Sequence, residues 1–263
     1  MQVSRNRPFR VETRRMRVWS RVNSWHPTEV EDSVVMSELP QGDEKTRRVR
    51  AMFDTIASRY EFINFVMTFG LDRRWRRRCV TELRLPPSST VLDVAAGTGD
   101  FIRELQRQGY EAIATDLSFG MLRAGHGMRD RLHADALHLP LTNSAVDGIT
   151  CGYALRNFTD LAGTLREMGR VVRPGGRVVL LEVAEPRNEL LRKGFTLWFR
   201  KVVPLVGGLL SDRDAYKYLP KSTAYLPDAA TLASMLRDAG FVAVNHRLIM
   251  KGLSQRLIAT KAS

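Results

Sequence analysis

Cysteine is nearly absent from this chain: among 263 residues only Cys79 and Cys151 occur. Neither belongs to a CxxC pair or stands near paired histidines, so neither a disulfide framework nor a zinc or other metal site is expected, and a reducing cytoplasmic setting is the natural reading. Long apolar runs are also missing. The stretch from Val202 to Leu210 is interrupted by Pro204, Gly207 and Gly208, well short of the ~20 residues a spanning helix needs, which excludes an integral membrane protein. No heptads or fixed internal periods appear, which sets solenoids aside. Acidic residues are scarce relative to basic ones, 28 against 41, for a net charge of +13. That imbalance speaks to partners and solubility and leaves the fold open.

What is present fits one catalytic domain with tails: 44% apolar residues can build one sizeable core at this length. The charge is unevenly spread. Arg5, Arg7, Arg10, Arg14, Arg15, Arg17 and Arg21 face only Glu12 in the first 25 residues, with no apolar period, so residues 1–44 read as a basic, disordered tail or a transit-peptide-like segment. The domain is placed at 45–263. A second cluster, Arg73, Arg74, Arg76, Arg77 and Arg78 around Trp75, reads either as a solvated face or as a contact with an anionic bilayer surface at the inner face of a membrane.

From Val49, the residues Met52, Phe53, Ile56, Tyr60, Ile63 and Met67 recur at helical spacing, predicting a helix over Lys45 to Thr68 ended by Gly70, and a second helix runs from Arg74 to Leu83. Residues 45–85 thus form N-terminal helices that either cover a site as a lid or are plain core. Short β-branched runs then alternate with helical ones. Strands are predicted at Thr90 to Val94, Glu111 to Thr115, His133 to Ala134, Val146 to Cys151, Arg177 to Val183, Val242 to Leu248 and Arg256 to Thr260. Helices are predicted at Asp100 to Gln108, Phe119 to Ala124, Asp160 to Val171, Glu189 to Val203 and Asp228 to Ala239. This alternation predicts an α/β, Rossmann-like fold: a seven-stranded, mostly parallel sheet with helices on both faces, and a ligand site at the carboxyl ends of the strands.

The segment Val91-Leu92-Asp93-Val94-Ala95-Ala96-Gly97-Thr98-Gly99-Asp100 runs from a strand through a glycine turn into a helix. Gly97 and Gly99 lack the β-carbons that would keep a ligand off the backbone. A dinucleotide site would want a third glycine where Ile102 stands, and Asp100 in the first helical turn opposes a pyrophosphate there. A phosphate-free ligand with a cationic sulfonium, S-adenosylmethionine, suits this turn and its acids Asp93 and Asp100. Asp116, at the tip of the next strand, either accepts hydrogen bonds from both ribose hydroxyls or caps the helix that follows. Asp135-Ala136 either addresses the adenine edge or is an ordinary turn.

Together, DVAAGTGD, ATDLSFGML, ADALHLP and RVVRPGGRVVLLE resemble a class I methyltransferase. More specific are Phe53 to Tyr60 with Asn64, Gly70-Leu71-Asp72-Arg73-Arg74-Trp75-Arg76, Ala154-Leu155-Arg156-Asn157-Phe158, and Ala215 to Ser222. With these, the stretch from Lys45 to Arg247 resembles the UbiE/MenG/COQ5 family, C-methyltransferases of menaquinone and ubiquinone biosynthesis that act on the ring of a demethylated isoprenoid quinol. The resemblance implies S-adenosylmethionine contacts at Thr98, Asp116, Asp135 and Ala136, a substrate side lined by Arg156 and Asn157, and a lid helix carrying Tyr60. The family's serine after the fourth strand falls on Gly152, so one hydroxyl contact at that cofactor position is missing. Glu61 stands for the family's usual aspartate, and Leu253 to Ile258 replaces its glycine-rich ending, which leaves the ring that is methylated open.

Methyl transfer from a sulfonium is an in-line displacement, so holding the acceptor carbon close and excluding water are the main tasks. Arg156 stays protonated and cannot act as a base. Its expected role is to stabilise a phenolate or orient a water with Asn157; the alternative is an ion pair with Asp160. A methyltransferase of another lipid or natural product is the neighbouring reading. A nucleic-acid methyltransferase, suggested by charge alone, would want an Asn/Asp-Pro-Pro-aromatic stretch where Cys151-Gly152-Tyr153-Ala154-Leu155 stands, so no nucleic-acid partner is expected.

Overall fold

A computed structural model describes residues 41–68, 70–184, 186, 188, 189, 194 and 222–263, without the side chains of Ile63, Val66 and Met67. The chain opens with α1 (Gly42–Ile56), a 3₁₀ turn (Ala57–Arg59), α2 (Tyr60–Thr68) and α3 (Asp72–Thr81). The single helix expected over Lys45 to Thr68 is broken where Tyr60 N–H donates to the Ala57 carbonyl, an i to i+3 bond that tightens the chain and ends α1 at a buried Ile56. The next helix starts earlier than Arg74. Asp72 complements its N-terminal dipole and accepts from Thr68 Oγ1 at 3.1 Å.

Then follow β1 (Thr90–Val94), α4 (Asp100–Arg107), β2 (Glu111–Asp116), α5 (Phe119–Ala124), β3 (Asp130–His133), β4 (Val146–Gly152), a 3₁₀ turn (Leu155–Asn157), α6 (Leu161–Val171) and β5 (Val172–Val183). A further 3₁₀ turn (Ser222–Tyr225), α7 (Ala229–Asp238), β6 (Phe241–Ile249) and β7 (Ser254–Lys261) complete the described chain. The strands form one seven-stranded sheet in the order β3-β2-β1-β4-β5-β7-β6. It is parallel from β3 to β5 and antiparallel where β7 meets β5 and β6.

Two strands differ from expectation. β3 reaches upstream from His133 to Asp130 and leaves out Ala134, because pairing with β2 aligns Ile113 with Asp130 and Asp116 with His133; on this edge strand three of four residues are exposed, which erases the apolar pattern. β5 begins at Val172, since Val172 pairs with Val146 before a register irregularity and the strand runs on through Pro174 to Gly176. The helix expected over Glu189 to Val203 lies almost wholly outside the described residues, as do residues 215–221 of the Ala215 to Ser222 motif.

The buried strands read as continuous apolar runs, as sheets covered on both faces must. One face packs Leu92, Val94, Ile149, Val178 and Leu180 under Leu165, Met168, Leu232 and Leu236. The other packs Val91, Ala112, Ala114, Val179 and Leu181 under Trp75, Cys79, Phe101, Ile102 and Leu105. Ile102, standing where a dinucleotide motif would carry glycine, is therefore a core side chain.

Candidate active site

Strand order places the carboxyl ends of β1, β2 and β4 side by side, and the loops leaving them build one cleft. At the end of β1 the backbone turns left-handed at Ala95 (φ 55°), Gly97 (φ 57°) and Gly99 (φ 89°), Gly99 being the N-cap of α4. The turn is tied to β2: Ala96 N donates to the Thr115 carbonyl at 2.9 Å and Gly97 N to Asp116 Oδ2 at 2.8 Å. Asp116 Oδ1 accepts from Ser118 N at 2.8 Å. Capping of α5 falls to Ser118, whose hydroxyl accepts from Met121 N, which frees Asp116 to face the cleft.

That cleft is lined by Gly97, Asp116, Asp135, Ala136, Gly152, Tyr153 and Asn157, among others, a concave space of mostly apolar lining with a few polar groups, as small-ligand sites have. Burial pushes the Asp116 carboxyl up to about 6, against the two backbone N–H donors that favour its ionised form. Asp135 accepts from Leu137 N at 2.9 Å, closing a turn that presents Ala136 to the same space.

Of the other expected cofactor residues, Gly99 and Thr98 lie just behind this wall. A β-carbon on Gly99 would stand 2.9 Å from the Met128 side chain, so this glycine serves packing as well as its positive φ. Thr98 is 2% exposed and its hydroxyl has no hydrogen-bond partner among the described residues. Asp93 sits one layer deeper, accepting from Thr150 Oγ1 at 2.8 Å, with burial pushing its carboxyl up to about 7. Its carboxyl is thus placed beneath the turn and not in the cleft wall.

The N-terminal helices close the open side. Val49, Arg50, Phe53 and Tyr60 line the cleft, with Phe53 and Tyr60 edge to face at 5.9 Å and Tyr60 Cε1 within 3.6 Å of where a Gly97 β-carbon would be. The covering face is therefore Val49, Arg50 and Phe53; Ile56 of the same apolar stripe is core, and the Ile63 and Met67 side chains lie outside those described. Burial raises the Tyr60 hydroxyl above its ordinary range.

Two anchors that sequence reasoning missed hold α1 in place. Asp54 Oδ1 accepts from Ser118 Oγ and, at 2.9 Å, from Gly120 N, joining α1 to the loop of Asp116. Lys45, 4% exposed, donates to the Phe158 carbonyl at 2.9 Å and lies 3.7 Å from the Tyr225 ring centre, joining α1 to the loop after β4. Asp54 sat inside the noted Phe53 to Tyr60 motif, which was its only signal; Lys45 had none.

Asn157 faces the cleft, whereas Arg156 turns away from it. The guanidinium is buried, donating Nη1 to Glu182 and to the Tyr153 carbonyl (3.0 Å) and Nε to Ser222 Oγ (3.1 Å). The expected alternative partner, Asp160, instead caps α6 by accepting from Gly163 N. The basic stretch on α3 also divides: Trp75 and Arg76 are buried while Arg73, Arg74, Arg77 and Arg78 are exposed.

Comparison with known proteins matches residues 41–261 to the ubiE/COQ5 methyltransferase family. The chain belongs to that family. A demethylmenaquinone methyltransferase of Roseiflexus castenholzii is 43% identical over 222 residues, covering 81% of this chain and 93% of the relative. The ubiquinone/menaquinone biosynthesis C-methyltransferase UbiE of Geobacter sulfurreducens is 38% identical, covering 78% and 84%. Among solved structures, a SAM-dependent methyltransferase of Thermotoga maritima superposes with TM-score 0.58 at 18% identity, covering 81% of this chain and 99% of that one. A Haemonchus contortus phosphoethanolamine N-methyltransferase in complex with S-adenosyl-L-methionine gives 0.55 at 12%, covering 72% and 53%. This ubiE/COQ5 family member is an S-adenosylmethionine-dependent methyltransferase, and its cleft fits that cofactor: a carboxyl group at the end of β2 and a glycine turn against which a ligand can lie, backed by a Thr98 hydroxyl with no hydrogen-bond partner among the described residues.

Proposed function

We propose that this enzyme methylates a ring carbon of a demethylated isoprenoid quinol, demethylmenaquinol first among them. The observation that carries the reading is the continuity of one cleft from Asp116 and Asp135 to Asn157, Phe158, Phe53 and Tyr60, so that a nucleoside end and an apolar ring end meet under a single cover. The names of the Roseiflexus and Geobacter relatives support the choice of quinol.

When bound, S-adenosylmethionine supplies an electrophilic methyl group. Asp116 would hold the ribose, Asp135 and Ala136 would border the adenine, and Gly97, Thr98 and Gly99 would cradle the amino-acid end, with the Asp93 carboxyl beneath the turn. Gly152 contributes backbone alone at the edge of β4. Asn157 and Tyr60 grip the ring oxygens, and α1 excludes water. Arg156 acts from behind as a positioning residue: it fixes the Tyr153 carbonyl at the cleft wall.

The apolar substrate suggests delivery at a lipid surface. Phe62 and Phe65, 51% and 54% exposed on α2, precede the exposed arginines of α3 along the chain, and exposed aromatics together with cations suit an anionic bilayer surface. Labelled S-adenosylmethionine incubated with demethylmenaquinol, a polyprenyl benzoquinol and RNA tests the assignment. Methylated naphthoquinol is expected by mass; label in RNA, or in neither quinol, overturns it.

A further inference from the structure

We propose that Arg76, from the helix preceding the Rossmann-like unit, receives the carboxylate of the methionine end of S-adenosylmethionine. Arg76 is 5% exposed, yet its bonding is incomplete. Its Nε has no hydrogen-bond partner among the described residues. Its two ion-pair neighbours stand off, Asp72 at 3.6 Å and Asp100 at 3.7 Å, beyond the ~2.7–2.9 Å of a charge-assisted hydrogen bond. A buried guanidinium left so loosely paired is costly unless another acceptor completes it.

Its position identifies the acceptor. Nη1 lies 2.7 Å from where a β-carbon would be on Gly152, a residue of the cleft wall, so the guanidinium stands directly behind that wall. The guanidinium is clamped over the Phe101 ring at 4.9 Å and the Tyr153 ring at 5.4 Å. Strand order fixes direction: Asp116 on β2 takes the ribose, so the amino-acid end extends past β1 toward β4, where Gly152 and Arg76 meet. Asp100, near Arg76 and at the opening of α4, then faces the ammonium of the same zwitterion. Gly152, where the resembled family carries serine, gives the guanidinium its room.

Calorimetry on wild-type protein, Arg76→Met and Arg76→Lys tests this without turnover. The ligands are S-adenosylhomocysteine, 5′-methylthioadenosine, which lacks the amino-acid end, and S-adenosylmethionine with its decarboxylated analogue. Arg76→Met is expected to weaken S-adenosylhomocysteine at least tenfold and leave 5′-methylthioadenosine unchanged, with Arg76→Lys recovering part of the loss. Wild type is expected to prefer S-adenosylmethionine over its decarboxylated analogue by a similar factor, and Arg76→Met to lose that preference. Equal weakening of both nucleosides, or a preference retained in the variant, overturns the proposal. Should Arg76→Met not fold, equal wild-type affinity for the two sulfonium ligands overturns it instead. Failure of wild type to bind any nucleoside would strike the cofactor site itself, a separate result.

Discussion

Arg156, on the turn after β4, and Glu182, near the end of β5, form an ion pair sealed from solvent, their side chains 6% and 0% exposed. One Glu182 oxygen accepts from Arg156 and from Val183 N; the other has no partner among the described residues. Removing one partner strands a buried charge, so Arg156→Met or Glu182→Leu alone should lose about 3–5 kcal/mol of stability, and the double variant less than either. Urea unfolding of the three variants measures this; additive losses would show that the two groups do not act as a pair.

Asp116 makes cofactor affinity depend on pH. Burial holds its carboxyl near 6, above the ordinary ~3.9, so the unliganded protein takes up a proton there as pH falls below 6, and the protonated form loses an acceptor for the ribose. Affinity for S-adenosylhomocysteine should therefore rise between pH 5 and 7. The same sign applied to folding makes the contribution of Asp116 to stability present at low pH and lost as pH rises through 6. Asp93, near 7, titrates in the same window, so Asp116→Asn isolates the effect: it should weaken binding by about 2–3 kcal/mol and flatten the lower part of the profile. An unaltered profile in calorimetry would assign the dependence to Asp93.

Gly152→Ser should destabilise the protein. The new β-carbon would meet both the Arg76 guanidinium and the fully buried Phe101 ring at 2.7 Å, and such overpacking costs about 1–3 kcal/mol. A lower midpoint of thermal unfolding together with weaker S-adenosylhomocysteine binding is expected. Unchanged values of both would mean that Arg76 moves aside freely.

Lys45 and Asp54 should control the cover. Lys45→Met and Asp54→Ala each remove an anchor of α1, so hydrogen exchange across Gly42–Ile56 should quicken in both while β1 and β4 keep their protection. Turnover should fall more than cofactor affinity. Protection unchanged in α1 would show that the helix is held by its apolar face alone.

Exposed Phe62 and Phe65 give the lipid-surface reading its own check. Phe62→Ser with Phe65→Ser should reduce sedimentation with anionic vesicles while leaving methylation of a detergent-solubilised quinol intact. Wild-type binding should weaken with added salt, because exposed arginines contribute to it. Binding absent in the wild type would remove the membrane from the account.

The parts of the site that were legible in the sequence are the local ones. Strand, glycine turn, helix and Asp116 follow each other within one βαβ unit, and their order along the chain is their order in space. Arg156 and Arg76 were misplaced for the opposite reason: Glu182 and Gly152 meet them across the fold, and no spacing records such contacts. Arg76 did leave a trace. The sequence Asp72, Trp75, Cys79, Val80, Leu83 marks one helical face, all of it buried, and Arg76 lies on that face within what looks like an unbroken solvated charge run. Which residues of the stripe face the cleft was not legible, since Phe53 is as apolar as Met52 and only the tertiary position of α1 decides between them.

The sheet order has a consequence for how the molecule assembles. β7 follows β6 along the chain but lies between β6 and β5, so the backbone edge of Arg177 to Val183 stays unpaired until residues 254–261 have been synthesised. During translation the parallel half can zip together while that edge waits, open to any extended segment of another chain. The hairpin of β6 and β7 is thus the latch of the domain, and shortening it should first appear as aggregation of newly made protein, before any defect in methyl transfer.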